Sequence, residues 1–414
     1  MRLTVGRIAK TAGILLLVVL VLLVGGATWL TRPWDDLQSW RWYTMPFEGL
    51  RAEIFTNWEV IQPIALLQAS THPRQYPRNV SPPESVSYAF GNERIPLTAY
   101  LEKENVSGLM VLQDGEIKLE YYAKGLNRES RNHIWSATKS FTATLVAMAH
   151  FEGRIESLDD RVARYAPQFA GTAYGESSIR HVLMMSSGID FDHFKGTPDR
   201  NDMYWDIMQE RQDFDAWAGA LGRRVPPGSD FNYIATDTHV LSAVLRGAYG
   251  QPFTEIFQDR LWQRGEFGGD ATWGLDGSGH AMGHCCLSLR LEEFAHLGQL
   301  YVEDLVMEGK KTVRDDWFSM VEHPQAPFQE PRVSEAGEAQ RGYSVQFWIP
   351  HDYDQEFIAA GAFEQYLWID RRQGTVVAQF STGQPMLFTQ GETGASPEEF
   401  AAVMRTLASR ETFE

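Results

Sequence analysis

The sequence predicts an α/β domain: one sheet closed by distant parts of the chain, with a mainly helical insertion between them. Three observations carry this. "SGLMVLQDGEIKLEYY", 107–122, alternates apolar residues around Asp114-Gly115, a pair suited to a type I′ hairpin turn. The middle of the chain, about 140 to 325, has helical spacing, as in "DTHVLSAVLRGAYG" and "LEEFAHLGQLYVEDL". Strand character returns in "YSVQFWI", "EQYLWID" and "TVVAQFS". No internal repeat is evident.

Ahead of the domain, Arg2, Arg7 and Lys10 precede an uncharged run, Gly13 to Leu30. At about 1.5 Å per residue this run covers roughly 27 Å, enough to span a bilayer. Its basic front flank predicts residues 1–12 in the cytoplasm, a signal anchor over 13–31 and the bulk of the chain outside. Trp29, Trp34, Trp40 and Trp42 suit the headgroup region. A cleaved signal peptide is the rival reading, and both export the protein. Residues 32–83, aromatic and then proline-rich in "HPRQYPRNVSPPES", read as a connector, so the main domain is expected over 84–414.

The chain has 414 residues, 43% of them apolar and 22% charged, sufficient for a buried core. A net charge of -17 argues against nucleic-acid binding, which rewards clustered Lys and Arg. Cys285 and Cys286 are adjacent, so no disulfide framework is expected.

The chemistry is expected in "NHIWSATKSFTATLVAMAHFEG", 132–153. Among the lysines only Lys139 has a serine three places before it, Ser136. On a helix these positions share a face, so the lysine amine reaches the hydroxyl. A serine hydroxyl needs such a base to become a nucleophile. Apolar neighbours Phe141, Leu145 and Val146 would lower the lysine pKa and free it to accept a proton. At the helix N-terminus, the N–H of Ser136 is a donor available to a developing oxyanion. The bland alternative is a serine N-cap and an ordinary helical lysine, so the pair alone carries little.

"IRHVLMMSSGIDFD", 179–192, and "VPPGSDFNYIATDTHVLSAVL", 225–245, follow at intervals of about 45 residues. Together with "SATKSF" they resemble the penicillin-recognising serine hydrolases. The match is to the β-lactamase-related esterase branch that includes class C β-lactamases and 6-aminohexanoate-dimer hydrolases. The resemblance covers about 84 to 385 and implies a β-lactamase/transpeptidase-like fold, an antiparallel sheet flanked by helices plus a helical lobe. It implies Ser136 as acylated nucleophile, Lys139 as base and Tyr233 of "NYIA" as proton shuttle to the leaving group. It implies a backbone oxyanion hole from Ser136 and Ala362 or Phe363 in "GAFEQ", with Gly361, Glu364, Thr236 and Asp237 near the substrate. No cofactor is implied; the partner is a small ester or amide, and the oligomeric state stays open.

Two positions depart from the pattern. Ala235 stands where the second motif usually ends in Asn or Ser, and Glu364 where relatives often have glycine. "GAFEQ" also lacks the basic residue of the third motif, and Glu364 is expected to add negative charge near the substrate. "HAMGHCC", 280–286, offers two histidines and two thiols, but its glycines and adjacent cysteines argue against a metal, and none is assigned. No G-x-S-x-G elbow and no H-E-x-x-H occurs. The expected function is therefore a membrane-anchored serine hydrolase of esters or linear amides. The runner-up is a β-lactamase or D,D-peptidase, and the rival from another class is a catalytically lapsed envelope-binding module.

Overall fold

The computed structural model describes residues 48–193, 203–333, 339–383 and 395–413. Gly13 to Leu30, the expected anchor, lies outside them. Among the described residues no helix is long and apolar enough to cross a membrane.

Two sheets position the site. In chain order their strands are β1 (Ile64–Leu67), β2 (Val106–Gln113), β3 (Glu116–Tyr122), β4 (Asn132–His133), β5 (Ala271–Gly274) and β6 (Leu287–Leu289). They continue with β7 (Gly342–Tyr343), β8 (Trp348–Ile349), β9 (Glu356–Gly361), β10 (Gln365–Asp370) and β11 (Thr375–Ser381). The large sheet runs β7-β8-β9-β10-β11-β2-β3, antiparallel throughout, and the small one β1-β5-β6-β4. The closure expected from sequence is the β11–β2 pairing, which sets Val376 opposite Leu112 and Ala378 opposite Met110. Asp114 at φ 49° and Gly115 at φ 76° make the β2–β3 turn type I′, as expected.

The helices used below are α1 (Glu48–Thr56), α2 (Leu97–Lys103), α3 (Thr138–Phe151), α4 (Ala235–Tyr249), α5 (Leu291–Val302) and α6 (Pro397–Ala408). Strand side chains alternate between two cores. Met110, Leu112, Val376 and Ala378 face the core shared with α3 and α5. Leu109, Val111 and Val377 face a second core with Phe400, Val403 and Met404 of α6. The α5 backbone approaches the sheet so closely that a Cβ on Gly298 would lie 2.5 Å from Val376 Cγ1. In the helical lobe α4 packs on α3 and ends at Gly250, whose φ of 68° lets its N–H close on Arg246 O at 2.8 Å.

Two segments differ from expectation. "YSVQFWI" is not one strand: β7 and β8 flank a turn with Gln346 at φ 67°. The helical lobe satisfies that turn's polar groups. Gln346 Nε2 donates to Leu183 O at 2.8 Å, its Oε1 accepts from Thr238 at 2.6 Å, and its carbonyl accepts from Ser140 at 2.7 Å. Part of the stretch read as a connector is packed into the domain. β1 pairs with β5, and Phe55 and Trp58 are fully buried in the main core. Burying an aromatic side chain is worth about 1.5–3 kcal/mol, which outweighs leaving these residues in a solvated linker.

Candidate active site

Ser136 sits in a short 3-10 turn, Trp135–Ala137, that leads into α3. Trp135 adopts φ 51°, a left-handed conformation that bulky residues avoid unless surroundings impose it. Aromatic packing imposes it here. Trp58 lies edge-on to Trp135 at 5.1 Å and stacks on His133 at 3.7 Å, while Phe55 and Phe363 close the cage at 5.6 and 5.1 Å. Ser136 itself remains partly accessible.

α3 is buried from Thr138 to Ala149, and polar side chains along it bond to neighbours. Thr142 Oγ1 donates to Gly283 O at 2.7 Å, and Thr144 Oγ1 lies 2.9 Å from the Tyr301 hydroxyl. Lys139 is therefore desolvated, only 1% exposed. Its Nζ donates to Ser136 Oγ at 2.9 Å and to His284 O at 2.9 Å. Burial lowers its pKa to about 7, because the cation loses its water without gaining a carboxylate. Near neutrality a large fraction of this amine is free to accept a proton.

Tyr233 completes the cluster. Its hydroxyl hydrogen-bonds with the Ser136 side chain, and burial holds the phenol above its ordinary pKa. The Lys139 Nζ lies 5.1 Å from the centre of its ring. From the large sheet, the end of β9 presses on the nucleophile turn. A Cβ on Gly361 would lie 2.2 Å from Ile134 O and 3.2 Å from Ala137 N, so only glycine permits this approach. The Ala362–Glu364 turn follows directly, with Phe363 packed on Trp135 at 5.1 Å.

Comparison with known proteins gives similarities of sequence and fold. Residues 98–277 match the family model described as Beta-lactamase. The 6-aminohexanoate-dimer hydrolase of Paenarthrobacter ureafaciens is 26% identical over 310 residues, 70% of this chain and 76% of that protein. A Bacillus anthracis structure, provisionally assigned as a 6-aminohexanoate-dimer hydrolase, superposes with TM-score 0.74 at 18% identity, covering 92% of this chain and 94% of its own. A family VIII carboxylesterase structure superposes with TM-score 0.55 at 15% identity, covering 75% and 94%. Over residues 98–277 the chain resembles the β-lactamase family, and it shares that fold.

Not every residue implied by that resemblance stands at the centre of this site. Ser136, Lys139 and Tyr233 come together, and Gly361 and Phe363 pack on the adjoining Ile134–Ala137 segment. Thr236 and Asp237 do not join them. Both are fully buried in the first turn of α4 and belong to a network in the helical lobe. The Tyr174 hydroxyl lies 2.6 Å from Thr236 Oγ1 and 2.7 Å from Asp237 Oδ1, and Ser187 Oγ donates to Asp237 Oδ1 at 2.7 Å. Burial pushes the Asp237 carboxyl up to about 7. Ala235 is likewise fully buried, in the main core.

Glu364 also departs from expectation. It is 8% exposed and turned toward Ser381 and Glu104, and burial beside Glu104 pushes its carboxyl up to about 9. At neutral pH it adds no negative charge. The adjacent cysteines, though they link no distant segments, are joined to each other in a disulfide. The residue before them, His284, supplies the carbonyl that orients Lys139, a role invisible in sequence because it is 145 positions away and uses the main chain.

Proposed function

We propose that this chain is a serine hydrolase of the β-lactamase family that cleaves esters or linear amides through an acyl-enzyme on Ser136. The observation that carries this is the 2.9 Å contact between Ser136 Oγ and the buried Lys139 amine. Neutral Lys139 takes the Ser136 proton as Oγ attacks the substrate carbonyl. Developing charge on the carbonyl oxygen is met by the backbone N–H of Ser136 and of Ala362 or Phe363. The Tyr233 hydroxyl relays a proton to the leaving group, and water then attacks the acyl-enzyme by the reverse route. These steps use side chains and main chain only.

The relatives named above act on an amide dimer or belong to carboxylesterases by name, which supports both bond types for this chain. The β-lactam reading is less favoured, because Gly361–Gln365 supplies no cation for a substrate carboxylate. We place the domain outside the cytoplasmic membrane on the anchor at 13–31, supported by the uncharged run and its basic flank.

Two experiments test the proposal. A fluorophosphonate probe should label Ser136, with the adduct located by peptide mass spectrometry; an unlabelled Ser136 in active protein defeats the acyl-enzyme. The full-length chain should fractionate with membranes and expose its main domain to external protease; intact chain in the cytosol defeats the anchor.

A further inference from the structure

The Ala362–Glu364 turn is unusual in its backbone. Phe363 at φ 57° and Glu364 at φ 63° are consecutive non-glycine residues in the left-handed region. Each such residue costs about 1–2 kcal/mol, so surrounding contacts must hold the turn in place. The main chain contributes through glutamines: Phe363 O accepts from Gln365 Nε2 at 2.7 Å, and Glu364 O from Gln379 Nε2 at 3.2 Å.

The Glu364 side chain contributes through Ser381. Ser381 Oγ donates to Glu104 O at 2.6 Å and accepts from Gly383 N at 2.8 Å. A hydroxyl has one proton. Ser381 Oγ shares it between Glu104 O and Glu364 Oε2, the latter at 3.2 Å, so the Glu364 carboxyl accepts here and is free to donate its own proton to the Glu104 carboxyl. The Glu104 carboxyl is hydrogen-bonded to the same group, and the two are 4% and 8% exposed. Two buried carboxylates in contact cannot both ionise, so they share a proton.

We propose that Glu364 is a positioning residue: as a hydrogen-bond-donating acid it holds the left-handed turn that carries the Ala362 and Phe363 backbone beside Ser136. The inference rests on the acyl-enzyme reading, since it concerns the oxyanion side of that site.

A limit at alkaline pH follows. Burial and Glu104 push Glu364 up to about 9. Other charged or titratable groups around it are Arg341, Tyr100 and Tyr366, with Arg51 of α1 bonded to Gly383 O at 2.6 Å and Lys103 paired to Glu399 at 2.6 Å. Arg341 opposes the upward push without cancelling it. Below about 9 the pair keeps its proton and the turn holds; above it, paired carboxylates repel and the turn loosens.

The test uses full-length protein and p-nitrophenyl butyrate, with rates followed from about pH 6 to about pH 11. Wild-type kcat should fall as pH rises through about 9. Glu364→Ala should lower kcat at neutral pH by about tenfold or more, with KM within about twofold, as expected for a contact felt in the transition state. Glu364→Gln, which remains a donor, should restore most of kcat and remove the alkaline fall. Wild-type kcat in Glu364→Ala, or an unchanged alkaline fall in Glu364→Gln, overturns the proposal. Should the alanine variant not fold, the glutamine variant's pH profile decides. Fluorophosphonate labelling separates the two levels. Wild-type protein that is not labelled at Ser136 overturns the acyl-enzyme itself, and labelled protein with either contrary result overturns only the role of Glu364.

Discussion

Lys139 Nζ and Ser136 Oγ lie 2.9 Å apart, and the amine's other bond, to His284 O, is of equal length. The lysine is therefore held by a neutral hydroxyl and a neutral carbonyl inside a buried helix. Among the described residues no carboxylate bonds to it, and that environment favours the free amine over the ammonium.

Replacing Ser136 by alanine should lower turnover by at least about 10³-fold, since nucleophile and base act as a unit. Fold and melting temperature should be retained, because Ser136 is partly accessible and fills no cavity. Near wild-type hydrolysis of p-nitrophenyl butyrate by the variant would place the chemistry elsewhere.

The acid limb of the pH profile should report Lys139. Its pKa is lowered to about 7, so the inactive cation dominates below that value and activity rises as pH passes upward through it. Lys139→Arg should be inactive across the range, because guanidinium keeps its proton. An active arginine variant would remove the lysine from the role of base.

Gly361→Ala should be more damaging than an added methyl usually is. The new Cβ would sit 2.2 Å from Ile134 O, so β9 or the nucleophile turn must move. Displacements of this order at a reacting centre cost about 10²-fold in kcat. A variant with unaltered kcat would show that the close approach is dispensable.

Nitrocefin should be a poorer substrate than p-nitrophenyl acetate or butyrate by kcat/KM. Family relatives that process β-lactams grip the substrate carboxylate with a cation in the third motif, and Gly361–Gln365 has none. Losing a charge-assisted hydrogen bond costs about 1.5–3 kcal/mol, or about 10–150-fold. Glu364 does not add to this penalty, since it is buried and neutral at pH 7. Preference for nitrocefin would favour the β-lactamase reading.

What the sequence determined by itself was local or periodic. The Asp114-Gly115 turn follows from two residues that tolerate positive φ, and α4 and α5 follow from apolar spacing. The Ser136–Lys139 pair was legible because one helical turn fixes both residues. Tertiary structure decided whatever depends on the far side of a contact. Whether Thr236, Asp237 and Glu364 meet substrate or core depends on Tyr174, Ser187, Ser381 and Glu104, residues that spacing does not link to them. The aromatic residues of α1 and its following turn read as a linker until Trp58 finds His133 and Trp135. Local sequence sets which conformations a segment favours, whereas charge state and exposure depend on the dielectric and partners that the rest of the fold supplies.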